Sequence, residues 1–280
     1  MRALIDGDIL LHEMGWSGEF KDKETGEPIL LDFDELSEII DDRIRVINVE
    51  IEATEEPLIF LSDSEWLTAQ INKERKFAGE PEREFIPNFR YNVAKTKPYK
   101  GTRKNPKPFH FYNILAYLRG KYDTIVSSGG LEADDELGIF QCSREVSDTT
   151  ICSRDKDLRM VPGNHYSWEC GKQRSVGPVH TDELGWLEKT DSGKTIGYGR
   201  LFFYYQLLVG DAVDNIPGLP GCGAVAANRI LEGTESIEDG FERVKQAYRD
   251  KIGEGAKDYF LEQAQLLWIM QDREKGYQLP

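Results

Sequence analysis

The chain has 280 residues, with 35 Lys and Arg against 50 Asp and Glu, a formal charge of −15. With 39% hydrophobic and 30% charged residues, it has the balance of a folded chain, long enough for one large domain or two unequal ones. A collagen, a coiled coil and a disordered tail are excluded, and the net charge taken alone argues against a nucleic-acid partner.

Arg2-Ala-Leu-Ile-Asp6 is a short apolar run that ends in carboxylates, the pattern of a buried strand. A polar, Gly-containing loop is expected next. Apolar residues at 36, 39, 40, 44, 47 and 51 then predict a helix over 33–53, with Asp32 or Asp34 as its N-cap. A second strand is predicted at 57–61, leading to Ser62-Asp63. The segment with Pro87, Pro98, Pro106 and Pro108 is too irregular for a central sheet. Beyond it the pattern reads helix 109–118, strand 124–127, helix 131–144 and strand 149–153. Weaker strands are predicted at 166–170 and 176–180. Helices follow at 201–210, 224–232, 236–252 and 256–271. Strands alternating with helices, then helices alone, predict an α/β fold: a mostly parallel central sheet flanked by helices over 1–199, and a helical region over 200–280.

The most apolar run, 201–210, is about half of the ~20 residues a membrane span requires, and Asp6 and Asp8 interrupt any secretion signal. Cys142, Cys152, Cys170 and Cys222 show neither Cys-x-x-Cys nor zinc spacing. A cytoplasmic protein with reduced cysteines and no membrane partner is expected.

The charge is segregated. Residues 19–56 carry 14 acids and 4 bases, whereas residues 85–122 contain no Asp or Glu and nine bases, interleaved with Tyr91, Tyr99, Phe109, Phe111 and Tyr112. A solvated loop is the plain alternative, but a basic strip with aromatics suits phosphate neutralisation and base stacking.

Acids gather where the predicted strands end: Asp6, Asp63, the Leu131-Glu132-Ala133-Asp134-Asp135 run, and Asp155-Lys156-Asp157. A further pair, Asp211 and Asp214, closes the helix that begins near 201. Ligands in open α/β sheets collect outside the carboxyl ends of strands. Each motif alone reads as a turn or a helix cap. Bringing carboxylates within ~4 Å costs about 4 kcal/mol per pair at an effective dielectric near 20, so their convergence calls for a cation. All-oxygen donors select Mg²⁺, with Mn²⁺ as a substitute. Two such ions clamp the attacking and leaving oxygens in phosphodiester hydrolysis. The turn Asn215-Ile-Pro-Gly218-Leu-Pro-Gly221-Cys-Gly223 joins two helices, allows close backbone approach and opens a helix whose N–H groups suit a phosphate. It lacks the Lys-Ser/Thr ending of a P-loop.

The ordered set Leu-Ile-Asp6-Gly-Asp8, Leu-Glu132-Ala-Asp134-Asp135, Ser-Arg-Asp155-Lys-Asp157-Leu and Gly-Asp211-Ala-Val-Asp214-Asn-Ile-Pro-Gly218-Leu-Pro-Gly221-Cys-Gly223 resembles the flap endonuclease/5′-exonuclease family. Tyr99-Lys100-Gly-Thr-Arg103-Lys104 is similar to that family's basic arch motif. The overall length, Asp63-Ser-Glu-Trp66 and the helical C-terminus most resemble the 5′→3′ exonucleases of short-tailed bacteriophages. The resemblance implies a PIN-like nuclease core, a basic arch at about 72–108 and a helix–three-turn–helix element at about 201–232. It implies that Asp6, Asp63, Glu132 and Asp134 serve a first metal, that Asp155, Asp157, Asp211 and Asp214 serve a second, often through water, and that Asp135 lies between the sites. Asp8 stands where many relatives have an uncharged residue, so it is expected to support the ligands without binding metal itself. Lys100 and Arg103 would act on the scissile phosphate, Tyr99 would stack on a terminal base and Lys104 would bind DNA. Gly218, Gly221 and Gly223 would present amides to duplex DNA, with K⁺ as a candidate ion there.

The expected function is a Mg²⁺-dependent 5′→3′ exonuclease acting on 5′ ends, nicks or flaps of duplex DNA. Flap endonuclease and RNase H-like activity on RNA–DNA hybrids are also expected, for a monomer serving phage DNA replication. A catalytically inactive, structure-specific DNA-binding protein is the first alternative, although a pure binder would gain by losing nine mutually repelling acids. A phosphatase with Asp6 as nucleophile is the second. That chemistry usually wants Thr or Ser two positions after the second Asp, where Leu10 stands.

Overall fold

The computed structural model describes residues 1–102, 106–145 and 148–276. In chain order the elements are β1 (Arg2–Asp6), α1 (Gly7–Ser17), β2 (Glu19–Lys21), β3 (Pro28–Leu30), α2 (Phe33–Glu50), β4 (Leu58–Leu61), α3 (Glu65–Ala78), α4 (Arg90–Val93), α5 (Phe111–Lys121), β5 (Asp123–Val126), α6 (Ala133–Cys142) and β6 (Thr149–Cys152). A 3₁₀ turn (Asp157–Met160) follows, then β7 (Gly163–Ser167), β8 (Val176–Thr181), β9 (Trp186–Lys189), β10 (Thr195–Tyr198), α7 (Gly199–Val209), α8 (Ala224–Leu231), α9 (Ile237–Ile252) and α10 (Ala256–Leu267). The chain divides into two compact units. The first comprises Met1–Ile86, Asn105–Asp155 and Asn164–Val179, and the second Pro87–Lys104, Lys156–Gly163 and His180–Pro280.

The first unit is built on a six-stranded sheet in the order β5-β4-β1-β6-β7-β8. The four pairings from β5 to β7 are parallel, as the alternation of strands and helices predicts. β4 and the last four residues of β1 are buried on both faces, which demands helices on both sides. Ala3, Ile5, Ile59 and Leu61 share a core with Leu10, Leu11 and Met14 of α1, Leu36, Ile40, Ile44 and Ile47 of α2, and Ile114 and Leu118 of α5. Phe60 points the other way and meets Phe140 of α6 edge-on at 5.7 Å, as the two-residue strand period requires.

Helix α1 replaces the loop expected after the first strand. It starts directly at Gly7, with Asp6 as N-cap accepting from the Ile9 amide at 3.1 Å. Gly7 is obligatory there: a Cβ would lie 2.5 Å from the Phe60 carbonyl and 2.7 Å from the Ile59 and Leu61 side chains. Helix α3, also unforeseen, is opened by the Ser64 hydroxyl and closed by Gly79 at φ 74°.

In the second unit, α7 is buried almost all round and packs against α8, α9, α10 and the β9–β10 hairpin. Segment 87–102 and the hairpin group with this helical part, although the sequence pattern placed both before residue 200. β10 runs straight into α7, and Arg90 and Glu262 tie the basic segment to α10, as described below. No described helix is long and apolar enough to cross a membrane.

Candidate active site

Parallel strands put their carboxyl ends along one edge, and the register aligns those ends: Asp6 with Phe60, Ile5 with Cys152, and Leu61 with Val126. Each of β4, β5 and β6 is followed immediately by a serine, and each serine positions an acid or the helix that carries one. The Ser62 amide donates to Asp8 (3.0 Å), while its hydroxyl accepts from the Ala133 amide at the start of α6 (2.8 Å). The Ser127 hydroxyl accepts from the Asp63 amide (2.9 Å). The Ser153 hydroxyl donates to Asp6 (2.6 Å) and accepts from the Asp155 amide (2.9 Å). Glu132 and Asp135 form a reciprocal capping box at the start of α6, with Asp135 fully buried. Asp134 lies half-buried on the first helical turn between them.

These carboxylates are not electrostatically equal. Burial above all, then the charge of Asp8 and more weakly that of Asp155, pushes the Asp6 carboxyl up to about 7, against hydrogen bonds from Ser153 and Ile9. Asp63 has its own counter-charge: Arg83 lies 2.6 Å from Oδ2, and the Thr68 hydroxyl and Ser64 amide also donate to this acid. Among the described residues, no three His, Cys, Asp or Glu side chains stand close enough together to hold an ion. The all-oxygen character of the edge and the mutual repulsion of Asp6, Asp8 and Asp155 nevertheless fit a hard divalent cation. Such an ion keeps much of its water shell and takes only one or two protein carboxylates.

The remaining acids belong to the second unit. Asp211 is 2% exposed and is paired with Lys156 at 2.6 Å. Burial opposes its ionisation, but the Lys156 ammonium and the Val213 and Asp214 amides hold its carboxyl below the usual range. Asp157 accepts from the Gln206 side chain. The glycine turn closes on itself: Asp211 and Ile216 exchange backbone hydrogen bonds of 2.8 and 2.7 Å, while the Gly210 and Gly218 backbones lie against each other. Lys100 occupies the left-handed region at φ 53°, held by its amide bond to the Asp214 carbonyl at 3.0 Å. Its ammonium lies over the Tyr99 ring, 5.0 Å from the centroid.

No protein-family model matches the chain. It is 37% identical over 172 residues to DNA polymerase I of Caldicellulosiruptor bescii, covering 58% of this chain and 20% of that protein. It is 25% identical over 171 residues to the 5′-3′ exonuclease of Mycoplasmopsis pulmonis, covering 57% of this chain and 54% of that one. A T5 5′-exonuclease structure with bound zinc ions superposes with a TM-score of 0.55 at 14% identity, over 95% of this chain and 89% of that one. The chain has the fold of the T5 5′-exonuclease. A second T5 structure, co-crystallised with metal ions, gives the same TM-score at 13% identity, over 95% and 88% of the two chains. The chain spans about half the length of the Mycoplasmopsis relative and a fifth of the Caldicellulosiruptor one.

Within this fold, the first unit brings Asp6, Asp8, Asp63, Glu132, Asp134, Asp135 and Asp155 to its strand-end edge. The second unit carries Asp157, Asp211 and Asp214. Two DNA-facing expectations change. The Gly218 amide is not offered to a duplex, because it donates to buried Gln263 at 3.1 Å while its carbonyl accepts from Tyr259 at 2.9 Å. Tyr99 is only 5% exposed and packs edge-on against Tyr91, so its ring face is not presented for stacking. Gly221 and Gly223 are exposed, as is the first turn of α8. Arg103 and Lys104 lie outside the described residues. Sequence reading missed the serine rim, although Leu-Ile-Phe-Leu-Ser62, Thr-Ile-Val-Ser127 and Thr-Thr-Ile-Cys-Ser153 repeat it three times. It also missed Arg83 and Lys156, which no local pattern marks as partners of Asp63 and Asp211.

Proposed function

We propose that the protein is a divalent-metal-dependent 5′→3′ exonuclease that hydrolyses phosphodiester bonds from the 5′ ends of duplex DNA. The reading extends to nicks, flaps and RNA–DNA hybrids, and to a monomer serving phage replication in the host cytoplasm. One observation carries it: the acids of the first unit line the strand-end edge of a sheet that has the T5 5′-exonuclease fold. The names of the relatives support the same reading, as do the metal ions in the T5 structures.

Under this proposal Asp6, Asp63, Glu132 and Asp134 serve one Mg²⁺, one or two of them directly and the others through its water shell. Asp155, Asp157, Asp211 and Asp214 serve a second, with Asp135 between them and Asp8 in support. The bound ions would supply Lewis-acid polarisation of the phosphate and a water activated at neutral pH. The chain's own groups prepare for that role. Ser153 orients the Asp6 carboxylate and ties it to the Asp155 backbone. Arg83 and Lys156 limit the repulsion that Asp63 and Asp211 add. Lys100 places a cation for the scissile phosphate, with Arg103 and Lys104 beside it in sequence. Gly221 and Gly223 leave the start of α8 open to a duplex phosphate.

The deciding assay follows a 5′-labelled duplex with blunt, nicked or flapped ends in Mg²⁺ and in EDTA. Mg²⁺-dependent release of short 5′ products is expected. Tight binding with no hydrolysis in Mg²⁺ or Mn²⁺ would instead establish the inactive DNA-binding alternative.

A further inference from the structure

Helix α10 bonds to two separate segments of the second unit through neighbouring side chains. Glu262, 9% exposed, accepts from the Lys95 amide (2.7 Å), the Thr96 amide (2.6 Å) and the Thr96 hydroxyl (2.7 Å). The next residue, Gln263, accepts from the Gly218 amide, and Tyr259, one turn earlier, donates to the Gly218 carbonyl. At the end of the helix the Leu266 and Trp268 carbonyls accept from Arg90, at 3.1 and 2.6 Å. The basic segment and the glycine turn also meet directly. Asn215 donates to the Pro98 carbonyl at 2.9 Å, and the Lys100 amide donates to the Asp214 carbonyl at 3.0 Å.

A buried carboxylate engaged by two amides and a hydroxyl of one loop acts as a loop clamp, and charge-assisted bonds of this kind are about twice as strong as neutral ones. The clamp explains how Lys100, a residue with a β-carbon, is held at φ 53°. Such a conformation costs about 1–3 kcal/mol and persists only where the surroundings over-determine it. Four links surround it: Arg90 to the carbonyls at the end of α10, Glu262 on α10, and Asn215 and Asp214 on the turn.

We propose that Glu262 is a positioning residue. It fixes segment 95–101 to α10 so that Lys100 keeps its register with the glycine turn, and duplex engagement at that turn and placement of the Lys100 ammonium become one event. The role of Lys100 and the duplex engagement at the turn rest on the nuclease reading; the clamp itself does not.

The test uses the full chain with Glu262→Ala and with Glu262→Gln, which keeps the shape and one good acceptor. Amide exchange at Lys95 and Thr96 is expected to accelerate at least about tenfold in Glu262→Ala and less in Glu262→Gln, with Gly218 unchanged. Hydrolysis of a 5′-labelled duplex in Mg²⁺ is expected to lose about 10- to 100-fold in kcat, the scale of a small misplacement of a catalytic group, with KM almost unchanged. In a Lys100→Ala background, Glu262→Ala should then slow the reaction no further. Unchanged exchange at Lys95 and Thr96 would overturn the proposal, as would a loss confined to KM or one that multiplies fully in the Lys100→Ala background. A wild-type protein that hydrolyses no duplex in Mg²⁺ or Mn²⁺ sinks the nuclease reading instead, and the exchange result then decides the clamp alone.

Discussion

Gly210→Ala tests whether the glycine turn is locked by backbone against backbone. Gly210 sits at φ 76°, ψ −176°, a region essentially confined to glycine, where another residue costs about 1–3 kcal/mol. Its Cβ would stand 2.4 Å from the Ile216 carbonyl oxygen, 2.6 Å from the Pro217 carbonyl carbon and 2.8 Å from the Gly218 nitrogen. None of these atoms can rotate aside as a side chain would, so overpacking adds about 1–3 kcal/mol. Gly221→Ala is the control. Gly221 also has positive φ, at 73°, but the nearest atom to its Cβ would be the Lys251 ammonium at 3.6 Å. It pays only the left-handed cost, about 1–2 kcal/mol. Amide exchange reads the difference at Ile216, which donates to Asp211, and at Leu219, which donates to Leu208 at 3.0 Å. The clash should separate the two variants by about 1–3 kcal/mol, or about 5- to 160-fold in protection. Equal protection in the two would refute the interlock.

Asp6→Asn is expected to remove Mg²⁺-dependent hydrolysis, by more than the about 10- to 100-fold that loss of an outer partner of a metal site costs. It should also raise the thermal midpoint in EDTA, because a buried charge facing Asp8 and Asp155 disappears; scanning fluorimetry with and without Mg²⁺ checks both, and a variant less stable than wild type in EDTA contradicts the electrostatic account. Burial raises the Asp41 pKa, but bonds from Lys121, Tyr122 and Tyr117 outweigh it and hold the carboxyl below its usual range. Its stabilisation is therefore present above the unfolded value of about 3.9 and is lost as pH falls through the lower folded value. Asp41→Asn should cost about 1–3 kcal/mol at pH 7 and flatten the stability profile below pH ~4, and a urea titration across pH with an unchanged acid limb would be the contrary result. Lys156→Met strips buried Asp211 of its ammonium and should cost about 1–3 kcal/mol in urea unfolding, with Lys156→Arg retaining most of the stability.

The sequence alone determined the parallel core. Apolar runs at 2–6, 57–61, 124–127 and 149–153, and the helical period of α2 and of α7 to α10, are local patterns, and burial on one face or both leaves them few alternatives. The acids at strand ends and the three-glycine turn were legible for the same reason, since their chemistry is written in consecutive residues. Helix α1 was not: Asp6-Gly-Asp8 has turn composition, and only packing against β4 shows that Gly7 opens a helix. Tertiary structure alone decided what each acid faces. Ser153 reaches Asp6 from 147 residues away, Lys156 reaches Asp211 across 55, and Glu262 reaches Thr96 across 166. It also decided that Gly218 spends its amide on Gln263 and that Tyr99 is covered. A side chain's charge and donors are local properties, whereas the cost of burying them depends on which distant groups the topology brings alongside. The −15 charge that argued against nucleic acid is an instance: a sum over the chain cannot show that the acids line a sheet edge while the basic segment is held on α10.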